Sequence, residues 1–314
     1  MIPINPVIFF VSFASCFLVT KFLIKKFKKK GIVVRDMYKK NKPEVADMGG
    51  LGILFGIISG LIVAQILIQD VANLLIFYFV VIVFAVFTLT DDLIDVGRKS
   101  KIFIPFFLAL PIALLNIDTT FSFYFFRIDM GVWFTYLIAP LYLMVVANLI
   151  NMHSGYNGLQ IGLSSILLIT IATKVIMKYG WQSAHFVMPI LGAVLAFWYF
   201  DRYPSKILLG NVGSFTMGSA MGGLLILHNM EFFGVVILLP HIFNFLLYVY
   251  WRVFKVHPKN IKFGKVRDDD TIEVPHRLTL KWIPPYYFRL TEKQSTYIMY
   301  AVTIVFCIVG LVLF

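Results

Sequence analysis

Three carboxylates crowd the end of an apolar run in this sequence. Residues 88–101 read TLTDDLIDVGRKSK and follow an uncharged stretch over 72–87. A carboxylate is costly to keep at the end of a membrane helix, so Asp91 and Asp92 need a reason to be there. If the helix continues, Asp95 falls three and four residues further on and shares their face. Acids grouped in this way repel one another unless a cation sits among them. Arg98, Lys99 and Lys101 are close in sequence, and a divalent metal would serve as well. The alternative is a solvated helix end with an i,i+4 pair such as Asp95 with Lys99.

Four more stretches carry residues that could do chemistry. Residues 41–52, NKPEVADMGGLG, set the lone acid Asp47 beside glycines that admit close approach of backbone or ligand. The alternative is an acid at a helix N-terminus followed by small packing residues. Residues 148–162, NLINMHSGYNGLQIG, offer Asn148, Asn151 and Asn157, with Gly155 and Gly158 bracketing a turn. An asparagine can lend an oxygen to a hard metal or read the edge of a base, or simply cap a polar turn. Residues 200–218, FDRYPSKILLGNVGSFTMG, open an apolar helix at Asn211, which suits a phosphate or a metal but is also an ordinary helix start. In the long basic loop, His276 and Arg277 follow Pro275. Arg277 is a fixed bidentate phosphate donor and His276 can donate too.

The elements that must position these groups are membrane helices. The chain has 314 residues, of which 60% are hydrophobic and 14% charged, against roughly 25% charged in a soluble domain. The expected fold is all-α, a polytopic bundle forming one integral membrane domain over residues 1–314, with a cytoplasmic substrate-binding loop at 253–294. At about 20 apolar residues per crossing, ten spans are predicted: 4–24, 49–68, 72–90, 102–117, 132–150, 161–178, 185–200, 213–228, 231–252 and 295–314. The first is too long, and too poorly followed by small residues, for a cleaved signal peptide. Cys16 and Cys307 fall inside apolar spans, so no disulfide framework is expected.

Charge orients the set. Of the 28 basic residues, 25 fall in four connections: those after spans one, three, seven and nine. This asymmetry places those connections in the cytoplasm and both termini outside. It also explains the net charge of +12 without a nucleic-acid partner. The polar motifs all lie on that same side, as an active site requires. A transporter would more often place polar groups at mid-membrane on broken helices.

Taken in order, DMGG, DDLID with a lysine ten residues after its first aspartate, NxxNxxxGxNGL, GxxGSF and PHR form a series across the whole chain. That series resembles the polyprenyl-phosphate N-acetylhexosamine-1-phosphate transferase family. PHR, and HIFNFLLY at 241–248, look more like its GlcNAc-1-phosphate branch than like the bacterial phospho-MurNAc-pentapeptide translocase. The histidine-rich motif of the latter is not found here. The resemblance implies transfer of a sugar-1-phosphate from a UDP-sugar, UDP-GlcNAc by default, to a dolichyl or other polyprenyl phosphate in the membrane, with release of UMP.

By the same resemblance, Asp91 and Asp92 are the paired catalytic acids and Lys101 is the basic partner near the phosphates. Asn151 helps to hold Mg²⁺, or Mn²⁺ in its place. Asn157 and Gly158 border the uracil. His276 and Arg277 grip the pyrophosphate, with Asp47 near it. The basic loop before the last span reads the acetamido group. The departure is Asn211, where the family has an aspartate that ligates the metal. Asparagine keeps one oxygen and loses the charge, so weaker metal binding is expected. An introduced inactivating change and a natural variant are the two explanations. The charge pattern sets the active site of this multi-pass protein in the cytoplasm. A prokaryotic plasma membrane is expected rather than the endoplasmic reticulum, and proteins of this kind commonly form homodimers.

The chemistry is consistent with this reading. A phosphate monoester has a second pKa near 6, so an acceptor lipid needs little general-base help. The harder task is to bring two anions together, which Mg²⁺, Lys101 and Arg277 would do. Direct attack on the β-phosphate is expected, with Asp92 supporting the metal–lysine network and Asp91 orienting the acceptor. A route through an aspartyl-phosphate is the alternative. Two rivals follow from the residues: a silent member that only binds nucleotide-sugar or lipid phosphate, to which Asn211 lends weight, and a nucleotide-sugar transporter.

Overall fold

The structure is a computed structural model. It describes residues 4–69, 71–94, 96, 98–123, 126–254 and 263–314, with the side chains of 98–102, 121–123 and 126 excepted. Asp95, the Lys101 side chain and residues 255–262 of the basic loop therefore lie outside the described set.

Helices dominate. In chain order they are α1 (Ile4–Lys30), α2 (Gly50–Leu67), α3 (Ala72–Ile94), α4 (Arg98–Ala109), α5 (Gly131–Trp133), α6 (Ala139–Met152), α7 (Leu159–Tyr179), α8 (Met188–Asp201), α9 (Gly210–Leu227), α10 (Glu231–Ile237), α11 (Leu239–Phe254), α12 (Ile283–Tyr287) and α13 (Glu292–Leu313). Three short antiparallel hairpins qualify the all-α expectation: β1 (Val33–Arg35) with β2 (Glu44–Ala46), β3 (Thr120–Phe123) with β4 (Phe126–Asp129), and β5 (Lys265–Val266) with β6 (Ile272–Glu273).

Six of the helical stretches are long and apolar enough to cross a membrane, or seven if α10 and α11, bent by 68° at their junction, count as one. The protein is thus an integral membrane protein by its helices. Three of the ten expected crossings fall short, each for a visible reason. Residues 102–117 form the 12-residue α4, which carries Pro105, and then a 3-10 turn containing Pro111. Residues 185–200 yield only the 14-residue α8. The third, α9, is 18 residues long, but its glycines, serines and threonine dilute its apolar character.

That dilution suits where α9 sits. Nearly every residue from Val212 to Ile226 is buried, and α3 and α6 pack along it. Small residues let the backbones close. A Cβ on Gly218 would come within 2.6 Å of the Ala147 Cα, and one on Gly222 within 2.9 Å of the Leu143 Cα. This is how helices associate where lipid removes the hydrophobic drive. A second layer forms where α1 packs on α2 and α8.

The site is placed by loops at one end of the bundle. The β1–β2 hairpin is extended by a parallel bridge from Ala46 to Ile207. Leu208 N–H donates to the Ala46 carbonyl at 2.8 Å, and Gly49 N–H donates to the Leu208 carbonyl at 2.9 Å. The segment leading into α2 and the segment leading into α9 are therefore laced together.

Candidate active site

A cavity of about 590 Å³ opens at this end of the bundle. Its wall takes Asp47 from the DMGG stretch, Asp92 from the acidic stretch, Asn151 and Asn157 from the asparagine stretch, and Asn211 from the glycine-bracketed helix start. Residues from four distant motifs meet in one place.

The glycines explain how Asp47 and Asn211 come together. A Cβ on Gly50 would lie only 2.0 Å from Gly213 N, so the first turns of α2 and α9 touch backbone to backbone. Gly210 takes φ +70° at the entry to α9, a conformation that glycine adopts without cost. Asp47 is partly buried, and burial pushes its carboxyl above the usual carboxylate range, opposed by a hydrogen bond from Met48 N–H.

Asp91 and Asp92 part company. Successive residues on a helix point about 100° apart. Asp91 turns into the protein, where it is buried, and its Oδ1 accepts from Val96 N–H at 3.1 Å. Asp92 faces the cavity, and its Oδ1 accepts from Asn211 Nδ2 at 2.6 Å.

The turn after α6 forms the opposite wall. Gly155 and Gly158 take φ +109° and +71°, which is what the NxxNxxxGxNGL spacing needs to reverse the chain. Asn157 uses its polar atoms to tie loops together. Its Oδ1 accepts from Ser205 N–H at 3.0 Å, and its backbone N–H donates to Glu292 Oε1 at 2.6 Å. Gly158 lies behind the wall, where its carbonyl accepts from the Tyr300 hydroxyl.

His276 and Arg277 are not brought to the cavity wall. His276 is buried between Trp251 and Trp282, with ring centroids 5.6 and 4.7 Å away. Its Nδ1 accepts from Leu278 N–H at 3.2 Å, the geometry of a turn. Arg277 is exposed and donates to the Tyr287 hydroxyl, which raises its pKa further. Both serve the fold of the 263–294 segment in this structure.

Several residues of the site escape a sequence reading. Lys39 pairs with Glu292 and, at 3.2 Å, with Asp36. Trp282 Nε1 donates to the Tyr38 hydroxyl at 3.1 Å. Lys281, buried beneath the turn, donates to the Ser154 carbonyl at 2.6 Å, and burial lowers its pKa to about 8. Asp36, Asp201 and Arg35 also line the cavity. Only Asp201 had a nearby signal, in the FDRYPSK run.

The described wall is acidic. Asp36, Asp47, Asp92 and Asp201 face it, against the one guanidinium of Arg35. An anionic ligand would enter such a cavity only with a cation. Among the described residues no three carboxylate, histidine or cysteine groups gather tightly enough to cage a metal by themselves.

The fold and site define a helical integral membrane protein with a polar, carboxylate-bearing cavity at the ends of its helices. Residues 74–229 are similar to glycosyl transferase family 4. It is 28% identical over 313 residues to a Saccharolobus solfataricus protein provisionally named UDP-N-acetylglucosamine–dolichyl-phosphate N-acetylglucosaminephosphotransferase, covering 96% of this chain and 94% of that protein. A Bacillus subtilis protein provisionally named undecaprenyl-phosphate N-acetylglucosaminyl 1-phosphate transferase is 25% identical over 98% of this chain and 84% of its own length. The Saccharomyces cerevisiae UDP-N-acetylglucosamine–dolichyl-phosphate N-acetylglucosaminephosphotransferase is 24% identical over 63% of this chain and 49% of that protein.

Proposed function

We propose that this protein transfers N-acetylglucosamine-1-phosphate from UDP-GlcNAc to a dolichyl-type polyprenyl phosphate and releases UMP. The observation that carries the reading is the convergence of Asp47, Asp92, Asn151, Asn157 and Asn211 on one cavity, in a chain that aligns almost end to end with relatives named for that transfer. A phosphate oxygen of the lipid attacks the β-phosphorus, the bond to the α–β bridging oxygen breaks, and UMP leaves with that oxygen.

The donor set fits Mg²⁺. The ion is commonly held by one or two carboxylates completed by substrate phosphates, and the Asp92 carboxylate with the Asn151 and Asn211 amide oxygens would hold it here. When bound, it would neutralise the pyrophosphate. Asp47, whose carboxyl burial pushes above the usual range, would lie beside the pyrophosphate. Asn157, held by Ser205 and Glu292, would border the base. Asp91 would support the end of α3 that aims Asp92. Lys101 would add the second positive charge that this acidic wall needs.

The sidedness proposed is a cytoplasmic cavity with both termini outside, in a prokaryotic plasma membrane. The ten-crossing arrangement would count α4, α8, α9 and the bent pair with the six longer spans. The distribution of 25 of the 28 basic residues supports it.

The test follows UMP release by purified protein with polyprenyl phosphate, UDP-GlcNAc and Mg²⁺. Asp92→Asn should lower kcat about 100-fold. Asp91→Ala should cost about 1 kcal/mol of stability through the lost acceptor. No UMP from the unaltered protein, with UDP-GlcNAc still bound, would overturn the transferase reading.

A further inference from the structure

A second cavity, of about 400 Å³, lies on the far side of Asn157. It sits between the C-terminal end of α8 and the N-terminal end of α13, above the first turn of α7. Tyr300 closes its base, so tightly that a Cβ on Gly162 would come within 2.0 Å of the Tyr300 hydroxyl oxygen. The proposed transfer reaction makes no use of this cavity.

Its charge is the reverse of the first. Arg202, Lys206 and Lys293 line it, all exposed. Among the described residues none of the three pairs with a carboxylate. They lie over aromatic rings instead. Arg202 is 4.8 Å and Lys206 5.0 Å from the Tyr199 centroid, and Lys293 is 5.8 Å from that of Tyr297. A fourth feature points to a ligand independently. The Thr296 hydroxyl, in the same wall, is buried and has no hydrogen-bond partner. A buried hydroxyl left unpaired is costly, and native structures usually satisfy it.

We infer that this cavity binds the phosphate of an anionic phospholipid headgroup. Three unpaired cations and a free hydroxyl are donors without an acceptor, and a phosphate diester supplies the acceptor oxygens. The location selects a lipid over a soluble anion. Trp198 and Tyr297 are half-exposed at the ends of apolar helices, as aromatic residues are at a membrane–water boundary. Below them α13 exposes Ile304, Val305 and Ile308, a surface for acyl chains. Asn157 lines both cavities, so an occupied headgroup site braces the turn that walls the first one.

The experiment places purified protein in phosphatidylcholine nanodiscs with a minor fraction of phosphatidylglycerol and counts retained lipids by native mass spectrometry. The unaltered protein should retain phosphatidylglycerol preferentially. Arg202→Gln/Lys206→Gln/Lys293→Gln should lose at least about tenfold of that preference. Thr296→Val, which leaves the charge intact, should lose severalfold, and both variants should melt as the parent does. Millimolar inorganic phosphate should not displace the lipid. Equal retention by parent and triple variant would overturn the proposal. Displacement by phosphate would also overturn it and assign the cavity to a soluble anion.

Discussion

Asn211 donates its side-chain amide to Asp92 at 2.6 Å, although 119 residues separate the two. One stands in the first turn of α9 and the other near the end of α3, and these helices pack along each other. Asp92 as a carboxylate can only accept, so the amide nitrogen must face it. The bond sets the partial positive charge of the Asn211 N–H against the Asp92 carboxylate without a metal. An aspartate at 211 would set two carboxylates at that range, which is tolerable only with a cation between them.

Asn211→Asp should therefore make the fold depend on Mg²⁺. In chelator the variant should melt below the parent, and on titration with Mg²⁺ it should gain more stability. Mg²⁺ affinity should rise about tenfold, and UMP release at limiting Mg²⁺ should rise with it. Thermal melts at stepped Mg²⁺ would show this. Superimposable Mg²⁺ curves for the two proteins would place the metal elsewhere.

Much of this site was legible because its residues announce themselves locally. Asp47, Asn151, Asn157 and Asn211 each sit beside glycines at helix starts or turns, and the structure uses those glycines for the contacts that gather them. The ties that hold the wall have no such signature. Glu292 meets Asn157 and Lys39, and Trp282 meets Tyr38, only after the chain has folded across more than a hundred residues. The division between Asp91 and Asp92 was hidden too, since it depends on how α3 is rotated against α9. Six or seven of the ten expected crossings have the length and apolarity of a span, and the other three show where apolar length is a poor guide. α9 is enclosed by protein and can be rich in glycine, while α4 and α8 are short. His276 and Arg277 are expected to be anion donors from residue type and from the resemblance, neither of which speaks of a turn flanked by tryptophans.

The Lys39–Glu292 pair joins the first loop to the start of α13. Glu292 is 3% exposed and Lys39 18%. Lys39→Met leaves the carboxylate buried without its cation, which should cost about 3–5 kcal/mol. Lys39→Met/Glu292→Gln should recover part of that loss, because one stranded charge is gone while Asp36 still lacks its cation. Denaturant unfolding of the two variants measures the difference. An equal loss in both would mean that the pair acts through packing and not through charge.

Gly50→Ala tests the crossing of α2 and α9. The added methyl would meet Gly213 N at 2.0 Å, and backbone cannot give way as a side chain can. Overpacking of this kind costs about 1–3 kcal/mol, and spreading the two helix starts would pull Asp47 away from Asn211. The expected result is a lower melting temperature together with a raised KM for UDP-GlcNAc. Gly31→Ala is the control, since φ +71° gives it a backbone strain that Gly50 does not have, while nothing lies within 4 Å of the added methyl. It should lose stability without a change in KM.

Lys281 gives the site a pH dependence of defined sign. Burial lowers its pKa from 10.5 to about 8, so the folded state releases this proton more readily than the unfolded one. Between about pH 8 and 10.5 the unfolded chain binds more protons at this position, and stability contributed here rises with pH across that window. Below pH 8 both states are protonated and the full penalty of burying the ammonium applies. Unfolding free energies from pH 7 to 9.5, compared between the parent and Lys281→Met, isolate the effect. The parent should gain stability above pH 8 relative to the variant. Lys281 also holds the Ser154 carbonyl beneath the turn that carries Asn157, so the variant should bind UDP-GlcNAc more weakly at every pH. Parallel stability curves would show that the ammonium is better solvated than its burial implies.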